Sequence, residues 1–201
     1  MDETRGAVDD STSRVPPLPR PWSDEDAVAI GRWGHPAATY PPLLLTRVLQ
    51  RHPALADRVR HLGEGLYVDG RLDARTRTIA ILRTCGAVGS AYEWGGQAAF
   101  WGPLTGVSPE EADALTSDAD RADEPTWSAL DRAVIESVDE LERDGTLGGP
   151  AWSTLREHLD DEQIIELVIV HGWYRMIATT CNALDLGIED WMRPWPAPGQ
   201  T

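Results

Sequence analysis

Apolar residues recur at helical spacing along almost the whole chain, and this periodicity is the strongest constraint on its fold. Between positions 127 and 143 the apolar residues follow one another at intervals of three or four, at Leu130, Val134, Val138 and Leu141. Such intervals place side chains on one face of an α-helix. No segment alternates apolar and polar residues between turn signals, the pattern that indicates a β-strand. The sequence therefore predicts an all-α fold.

Capping residues, prolines and glycines mark where the helices begin and end. Ser108 is a strong helix start, because proline follows at the first helical position and Glu111 lies three residues after the cap. Ser90 is similarly placed to cap a helix through YEWGGQAAFW. The patterns predict helices at about 24–33, 43–50, 54–68, 74–88, 91–101, from 109 onward, at 127–143, around Trp152 and Leu155, and at 161–184.

The length of the chain, 201 residues, is sufficient for one domain with a hydrophobic core. We assign that domain to residues 22–192. Residues 1–21 are polar and proline-rich, which predicts a flexible arm or a strap on a neighbouring subunit, and residues 193–201 form a C-terminal tail.

Charge and cysteine content restrict the partners and the compartment. The formal net charge of −15 disfavours nucleic acid and anionic membrane surfaces as partners. The first residues lack the apolar core of a secretory signal, and no uninterrupted apolar run reaches the ~18 residues of a membrane span. Cys85 and Cys181 stand alone, without a Cys/His cluster. We expect a cytoplasmic protein with reduced, buried thiols, although a single long-range disulfide also fits two cysteines.

The segment GSAYEWGGQAAFW, residues 89–101, concentrates polar and aromatic side chains on one predicted helix. Glu93 and Gln97 are four residues apart and point from the same face. Trp94, Gln97 and Trp101 form a second row at spacings of three and four.

Two glycines, Gly95 and Gly96, interrupt this helix. Each costs about 1 kcal/mol relative to alanine in a helix interior. We therefore expect a neighbouring helix, a partner subunit or a ligand to approach that backbone closely. A purely structural interpretation also fits, with the tryptophans in the core and Glu93 paired to an arginine such as Arg83.

Three segments in this region resemble the central signature of carboxymuconolactone decarboxylase proteins, which share their fold with the alkyl hydroperoxidase D-like enzymes. They are RTRTIAILR at 75–83, GSAYEW at 89–94 and GVSPEE at 106–111. Similar flanking segments lie in the same order at 52–55 and within 168–184. The resemblance implies an all-helical subunit built around a central helical hairpin. It also implies a homotrimer or homohexamer, with the active site near the signature helix and a subunit interface.

The chain departs from the peroxidase members of this superfamily. Those members use a CxxC pair, a histidine four residues later and an upstream glutamate that relays protons. Here the motif positions hold Ser90, Glu93 and Gln97, and the upstream position holds Thr78. Since no thiol remains in the motif, the sequence disfavours peroxidase chemistry through that pair.

The chain also departs from the decarboxylase members, which commonly keep Tyr-Glu-Trp, here 92–94, and a histidine four residues after the glutamate. Gln97 occupies that position and cannot shuttle a proton near neutral pH. His171 is the candidate replacement, because an imidazole in an apolar helix has a tunable pKa and shares its helix side with Tyr174. A core histidine bonded to a backbone carbonyl or to Glu93 fits the same pattern.

These residues predict a cofactor-independent enzyme of lyase or isomerase type that moves a proton on a small carbonyl- or lactone-containing molecule. Decarboxylation, isomerisation, dehydration and cyclisation of such a substrate all require an enolate-like charge to be stabilised. The catalytic candidates are Glu93, His171, Gln97 and Tyr92. The substrate-binding candidates are Trp94, Trp101 and Trp173 as pocket walls, Tyr174 as a hydrogen-bond donor and Arg83 as the partner of a carboxylate.

No metal site is expected, because Glu93 and His171 are the only plausible ligands to converge and two ligands are too few. Two other function classes stay open. One is a thiol-dependent peroxidase that uses Cys85 or Cys181. The other is a non-catalytic member that binds a ligand or assists assembly. The enzymatic hypothesis requires Glu93, Gln97 and His171 to face a common cavity.

Overall fold

The computed structural model describes residues 13–117 and 127–197, and these ranges contain nine α-helices and no β-strand. The all-α prediction is confirmed. The helices are α1 (Asp24–Gly31), α2 (Leu44–Leu49), α3 (Pro53–Val68), α4 (Ala74–Val88), α5 (Ala91–Thr105), α6 (Pro109–Ala114), α7 (Ala129–Asp144), α8 (Gly149–His158) and α9 (Asp161–Ala183).

Helix α4 lies at the centre of the fold and packs against α5, α7 and α9. Most of its residues are buried, including Ile79 and Leu82. Gly89 ends α4 with a φ of 67°, a left-handed conformation that favours glycine, and α5 then packs back along α4. This pair is the predicted central helical hairpin.

A buried ion pair joins the first turn of α4 to the second turn of α9. The Glu166 carboxylate accepts hydrogen bonds from Arg77 Nε and Nη2 at 3.2 and 3.1 Å, and from the Leu72 backbone N–H at 2.9 Å. Since both charged side chains are largely removed from water, each depends on the other for compensation. The pair fixes how α9 sits against the hairpin.

The chain segments before α1 and after α9 pack on the helices of the same chain. The Arg14 N–H donates to the Leu184 carbonyl at 2.7 Å, and the Leu18 N–H donates to the Arg47 carbonyl at 2.9 Å. The part of the predicted arm that the structure describes, residues 13–21, therefore contacts its own chain. Residues 1–12 lie outside the described residues.

The predicted C-terminal tail also begins with packed residues. The Arg193 N–H donates to the Gly95 carbonyl at 3.1 Å, and its guanidinium forms an ion pair with Asp113 at 2.7 Å. Trp195 packs edge-on against Trp94 with ring centroids 5.4 Å apart. The packed part of the chain therefore extends past the predicted boundary at residue 192, and residues 198–201 lie outside the described ranges.

The close approach predicted at the two glycines of α5 is made by this C-terminal segment. A Cβ added at Gly95 would lie 2.6 Å from the Arg193 carbonyl oxygen, so only glycine fits there without displacement. At Gly96 the nearest atoms, on Met192 and Trp191, would be at 3.5 Å, an ordinary contact distance.

Cys85 and Cys181 are buried and are not joined by a disulfide. No helix in the described ranges combines the length and the apolar character needed to cross a bilayer.

Candidate functional site

Glu93 and Gln97 lie on successive turns of α5, as their spacing predicts. Gln97 Nε2 donates a hydrogen bond to Glu93 Oε1 at 3.0 Å. Although part of residue 93 contacts solvent, desolvation of the carboxyl raises its pKa to about 7, and the Gln97 hydrogen bond opposes this shift. The Glu93 carboxyl is therefore able to accept or release a proton near neutral pH.

Two tyrosines from other helices form a hydrogen-bonded pair beside this carboxyl. The hydroxyls of Tyr67 on α3 and Tyr174 on α9 bond to each other. Burial raises the pKa of both, and the negative charge of Glu93 adds to each shift, which places both hydroxyls within electrostatic range of that carboxyl. Each hydroxyl carries one proton, and the bond between them uses one of the two. The second hydroxyl proton of the pair can therefore donate a hydrogen bond to another group.

Aromatic rings border the Tyr67–Tyr174 pair. Trp101 stacks on Tyr67 with centroids 4.9 Å apart, and Trp173 meets Tyr174 edge-on at 4.7 Å. Trp101 and Trp173 therefore contact the tyrosine pair, which together with Glu93 and Gln97 we call the Glu93 cluster. Their role in substrate binding stays a prediction.

Three buried polar atoms in and near this cluster lack a hydrogen-bond partner among the described residues. They are Gln97 Oε1, Trp173 Nε1 and Ser90 Oγ. Ser90 is the N-cap residue of α5, as predicted, but its side chain forms no capping bond although the residue is fully buried. Because an unpaired buried polar group costs free energy, such atoms are natural contacts for a bound polar molecule.

His171 lies in a different environment from Glu93. Its Nδ1 is 3.2 Å from the Thr84 hydroxyl oxygen, and its Nε2 is 3.7 Å from Glu142 Oε1 on α7. No hydrogen bond or ion pair joins Glu93 to His171 within residues 13–117 and 127–197, and burial alone lowers the pKa of the imidazole. Glu93 and His171 are therefore not in direct contact, because His171 packs toward α4 and α7, and their action on one substrate stays a prediction.

Tyr92 is occupied by contacts within the protein. Its hydroxyl donates to Glu189 Oε1 at 2.5 Å and accepts from the Leu45 N–H at 3.1 Å. These bonds tie α5 to α2 and to the segment after α9. Because its donor and one acceptor site are both used within the protein, these contacts give Tyr92 a structural role, and its predicted catalytic role stays a prediction.

Arg83 and Trp94 also have structural partners. Arg83 Nε donates to Asp139 at 2.5 Å, and its Nη1 donates to the Leu115 carbonyl at 3.1 Å. Trp94 is fully buried, and its Nε1 donates to the Ala112 carbonyl at 3.2 Å. These contacts give both residues a packing role, and the predicted substrate-binding roles of Arg83 and Trp94 stay predictions.

Solved structures with the same architecture are known. An uncharacterised peroxidase-related protein from Ralstonia eutropha JMP134, described as an alkylhydroperoxidase AhpD core, aligns with 89% of this chain and 93% of its own. The TM-score is 0.72 and the sequence identity is 19%. This chain has the AhpD-like fold.

A second solved structure agrees with the first. It is a protein of unknown function from Agrobacterium tumefaciens, described as a candidate antioxidant defence protein AhpD. It covers 70% of this chain and 94% of its own, with a TM-score of 0.61 and 20% identity. The sequence matches no protein-family model, and no curated protein matches it. At these identities the likeness establishes the fold and leaves the chemistry to the residues themselves.

The two thiols of this AhpD-like chain lie close to the Glu93 carboxyl but are poorly suited to redox chemistry. Burial raises the pKa of Cys85 and Cys181, and the charge of Glu93 raises both further. Since the thiolate is the reactive form, these shifts oppose peroxide reduction. Within the described ranges, no group of three or more His, Cys, Asp or Glu side chains is arranged to hold a metal ion.

Two residues of this region were not among the sequence-based candidates. Tyr67 comes directly after the apolar residues of α3 in the sequence, and no sequence motif identifies it as a functional residue. Tyr40 lies in the proline-rich connection between α1 and α2, and the Glu93 charge contributes to a raised pKa of its hydroxyl. Only the packing of α3 and of this connection against α5 brings the two phenols near Glu93.

Proposed function

We propose that this protein is a cofactor-independent enzyme that transfers a proton on a small carbonyl- or lactone-containing molecule, with Glu93 as the proton-transfer group. The observation that carries the proposal is the desolvated Glu93 carboxyl held by Gln97 on the hairpin helix α5, where burial raises its pKa to about 7. Both protonation states of such a group are populated near neutral pH, so it serves as a general base or a general acid.

The neighbouring groups supply the other requirements of this chemistry. Gln97 holds Oε1 of Glu93 and leaves Oε2 to take the substrate proton. The second hydroxyl proton of the Tyr67–Tyr174 pair would donate a hydrogen bond to the substrate oxygen on which enolate charge develops. Decarboxylation, isomerisation, dehydration and cyclisation all share this step.

We further propose a carboxymuconolactone decarboxylase-like lyase. The segments at 75–83, 89–94 and 106–111 support this assignment, together with the AhpD-like fold. His171 contacts Thr84 and Glu142 and is not needed for the proposed step, so this proposal replaces the three-residue cavity expected from the sequence by Glu93, Gln97 and the Tyr67–Tyr174 pair.

We also propose that the protein assembles with copies of itself, as a homotrimer or homohexamer. Helix α9 exposes an apolar stripe, with Ile165 at 64% and Ile169 at 46% exposure, and Val168 and Met176 beside them. Exposed apolar patches of this kind mark contact surfaces. Light scattering should show an oligomer that Ile169→Asp dissociates, and a monomeric wild type would contradict the proposal.

Deuterium exchange tests the proposed proton transfer without knowledge of the natural substrate. The protein is incubated in D₂O with γ-butyrolactone, cyclohexanone and acetophenone, and NMR follows deuteration beside the carbonyl. We expect exchange above the buffer rate that rises with pH through about 7, since the ionised carboxylate is the base. Because general acid–base catalysis contributes roughly 10²–10⁴-fold, Glu93→Gln should lose about 100-fold or more.

The matched control is Glu110→Gln, which changes a solvent-exposed glutamate on α6. This variant should exchange as the wild type does. Equal exchange by wild type and Glu93→Gln would refute the role of Glu93. A wild type that catalyses no exchange on any of the three compounds would instead favour the non-catalytic alternative.

A further inference from the structure

A cavity of ≈ 290 Å³ lies between the end of α1 and the start of α2. We call it the Tyr40 cavity. Its volume is at the lower end of the roughly 300–1,000 Å³ typical of small-molecule sites. The lining residues are Ile30, Gly31, Trp33, Gly34, His35, Pro36, Ala38, Tyr40, Pro41, Pro42, Leu43 and Thr46.

The walls of the Tyr40 cavity are aromatic and apolar. They include the rings of Trp33, His35 and Tyr40 and three prolines, and they include no Asp, Glu, Lys or Arg. The Ala37 N–H donates to His35 Nδ1 at 3.1 Å, which assigns the ring proton to Nε2. The lining offers no countercharge to an ionic ligand, so it suits an uncharged molecule. The flat rings favour a planar one.

Tyr40 lines this cavity and lies within electrostatic range of Glu93. Its ring stacks on Trp191 with centroids 4.1 Å apart and meets Phe100 edge-on at 5.3 Å, so its position is defined by packing on both sides. Burial and the charges of Glu93 and Glu189 raise the pKa of Tyr40, which keeps its hydroxyl protonated. None of the described residues hydrogen-bonds to that hydroxyl. The Tyr40 hydroxyl is therefore available to donate a hydrogen bond to a ligand in the cavity.

We propose that the Tyr40 cavity binds a small, uncharged, planar molecule with a conjugated or aromatic carbonyl group, and that the Tyr40 hydroxyl positions this carbonyl toward Glu93. This proposal rests on the function proposed above for Glu93 and specifies the class of substrate. Tyr40 acts as a hydrogen-bond donor to the carbonyl oxygen, and Trp33 and the prolines contact the faces of the ring. An anionic ring compound of the same size is rejected because the cavity has no cation to receive it.

Binding of three probes tests the cavity. Acetophenone has the proposed features, benzoate adds a negative charge and ethylbenzene removes the carbonyl. The readout is the ¹H–¹⁵N signal of the Trp33 indole, assigned with Trp33→Phe. We expect acetophenone to shift this signal and to bind at least about tenfold more tightly than benzoate, which corresponds to about 1.4 kcal/mol.

Paired variants locate the site. Ala38→Trp fills the cavity and should weaken acetophenone binding at least about tenfold, whereas Ala37→Trp, at the adjacent exposed position that does not line it, should bind as the wild type does. Tyr40→Phe should weaken acetophenone about fivefold, the loss of one hydrogen bond, and leave ethylbenzene unchanged.

The outcomes separate the two proposals. Equal affinity of wild type and Ala38→Trp, or of acetophenone and benzoate, would overturn the cavity proposal whatever Glu93 does. If acetophenone binds in the cavity but its methyl group is not deuterated, the proposed binding site stands and the proposed function of Glu93 is contradicted. If Ala38→Trp does not fold, NOEs between acetophenone ring protons and the Tyr40 ring in the wild type decide, and their absence at saturation would overturn the proposal.

Discussion

Replacing each glycine of the α5 pair by alanine tests the packing that holds the candidate site together. A methyl group at Gly95 would meet the Arg193 carbonyl oxygen at 2.6 Å. That carbonyl belongs to a residue whose N–H bonds back to Gly95 at 3.1 Å and whose guanidinium is paired with Asp113. The clash therefore falls on anchored backbone. A methyl at Gly96 would meet only side-chain atoms at 3.5 Å.

The magnitude follows from two opposing effects. Alanine gains about 1 kcal/mol over glycine in a helix interior, and this gain applies equally at Gly95 and Gly96. Overpacking costs about 1–3 kcal/mol and applies only at Gly95. Gly96→Ala should therefore stabilise the protein by up to about 1 kcal/mol. Gly95→Ala should be less stable than Gly96→Ala by about 1–3 kcal/mol, because the helix gain cancels in this difference.

Urea unfolding followed by far-UV circular dichroism measures both free energies of unfolding. Each glycine variant serves as the control for the other, since both lie in the same turn of α5. Equal stability of Gly95→Ala and Gly96→Ala would show that the C-terminal segment does not contact the α5 backbone as closely as described.

Three further predictions concern free energies of unfolding. Because the folded pKa of Glu93 lies near 7, above its ordinary 4.5, ionisation destabilises the folded state increasingly as pH rises between these values. The free energy of unfolding of Glu93→Gln should therefore equal that of the wild type near pH 4 and exceed it by up to about 3 kcal/mol at pH 8. A difference that does not change with pH would contradict this. Glu166→Ala should cost about 3–5 kcal/mol, since Arg77 would remain buried without its partner, and a cost below 1 kcal/mol would argue against the buried pair. Tyr92→Phe should cost about 1–3 kcal/mol through its lost bond to Glu189, and an unchanged unfolding curve would contradict that contact.

The helices were predictable because their signals are local. Val134 and Val138, placed on one apolar face by their spacing, are both fully buried in α7. The capping box at Ser108 forms as the sequence indicates, with reciprocal bonds to Glu111. The Glu93–Gln97 contact likewise follows from a spacing of four residues on one helix.

The site was only partly predictable, because the sequence does not specify which neighbouring helix each face meets. His171 and Tyr174 share one side of α9, yet the first contacts Glu142 on α7 and the second contacts Tyr67 on α3. Arg83 is similar, since its partner Asp139 lies on α7, far away in sequence. Such pairings depend on the three-dimensional arrangement of the helices, and the local periodicity of any one of them contains no information about it.

The ionisation of Glu93 is the property on which the proposed chemistry depends, and NMR measures it directly. Carbon-13 labelling of glutamate side chains, with Glu93→Gln to assign the signal, follows the carboxyl resonance as pH is varied. We expect a midpoint at about 7. A midpoint near 4.5, the ordinary value for a glutamate, would show that this carboxyl is a solvated surface group and would contradict its proposed role in proton transfer.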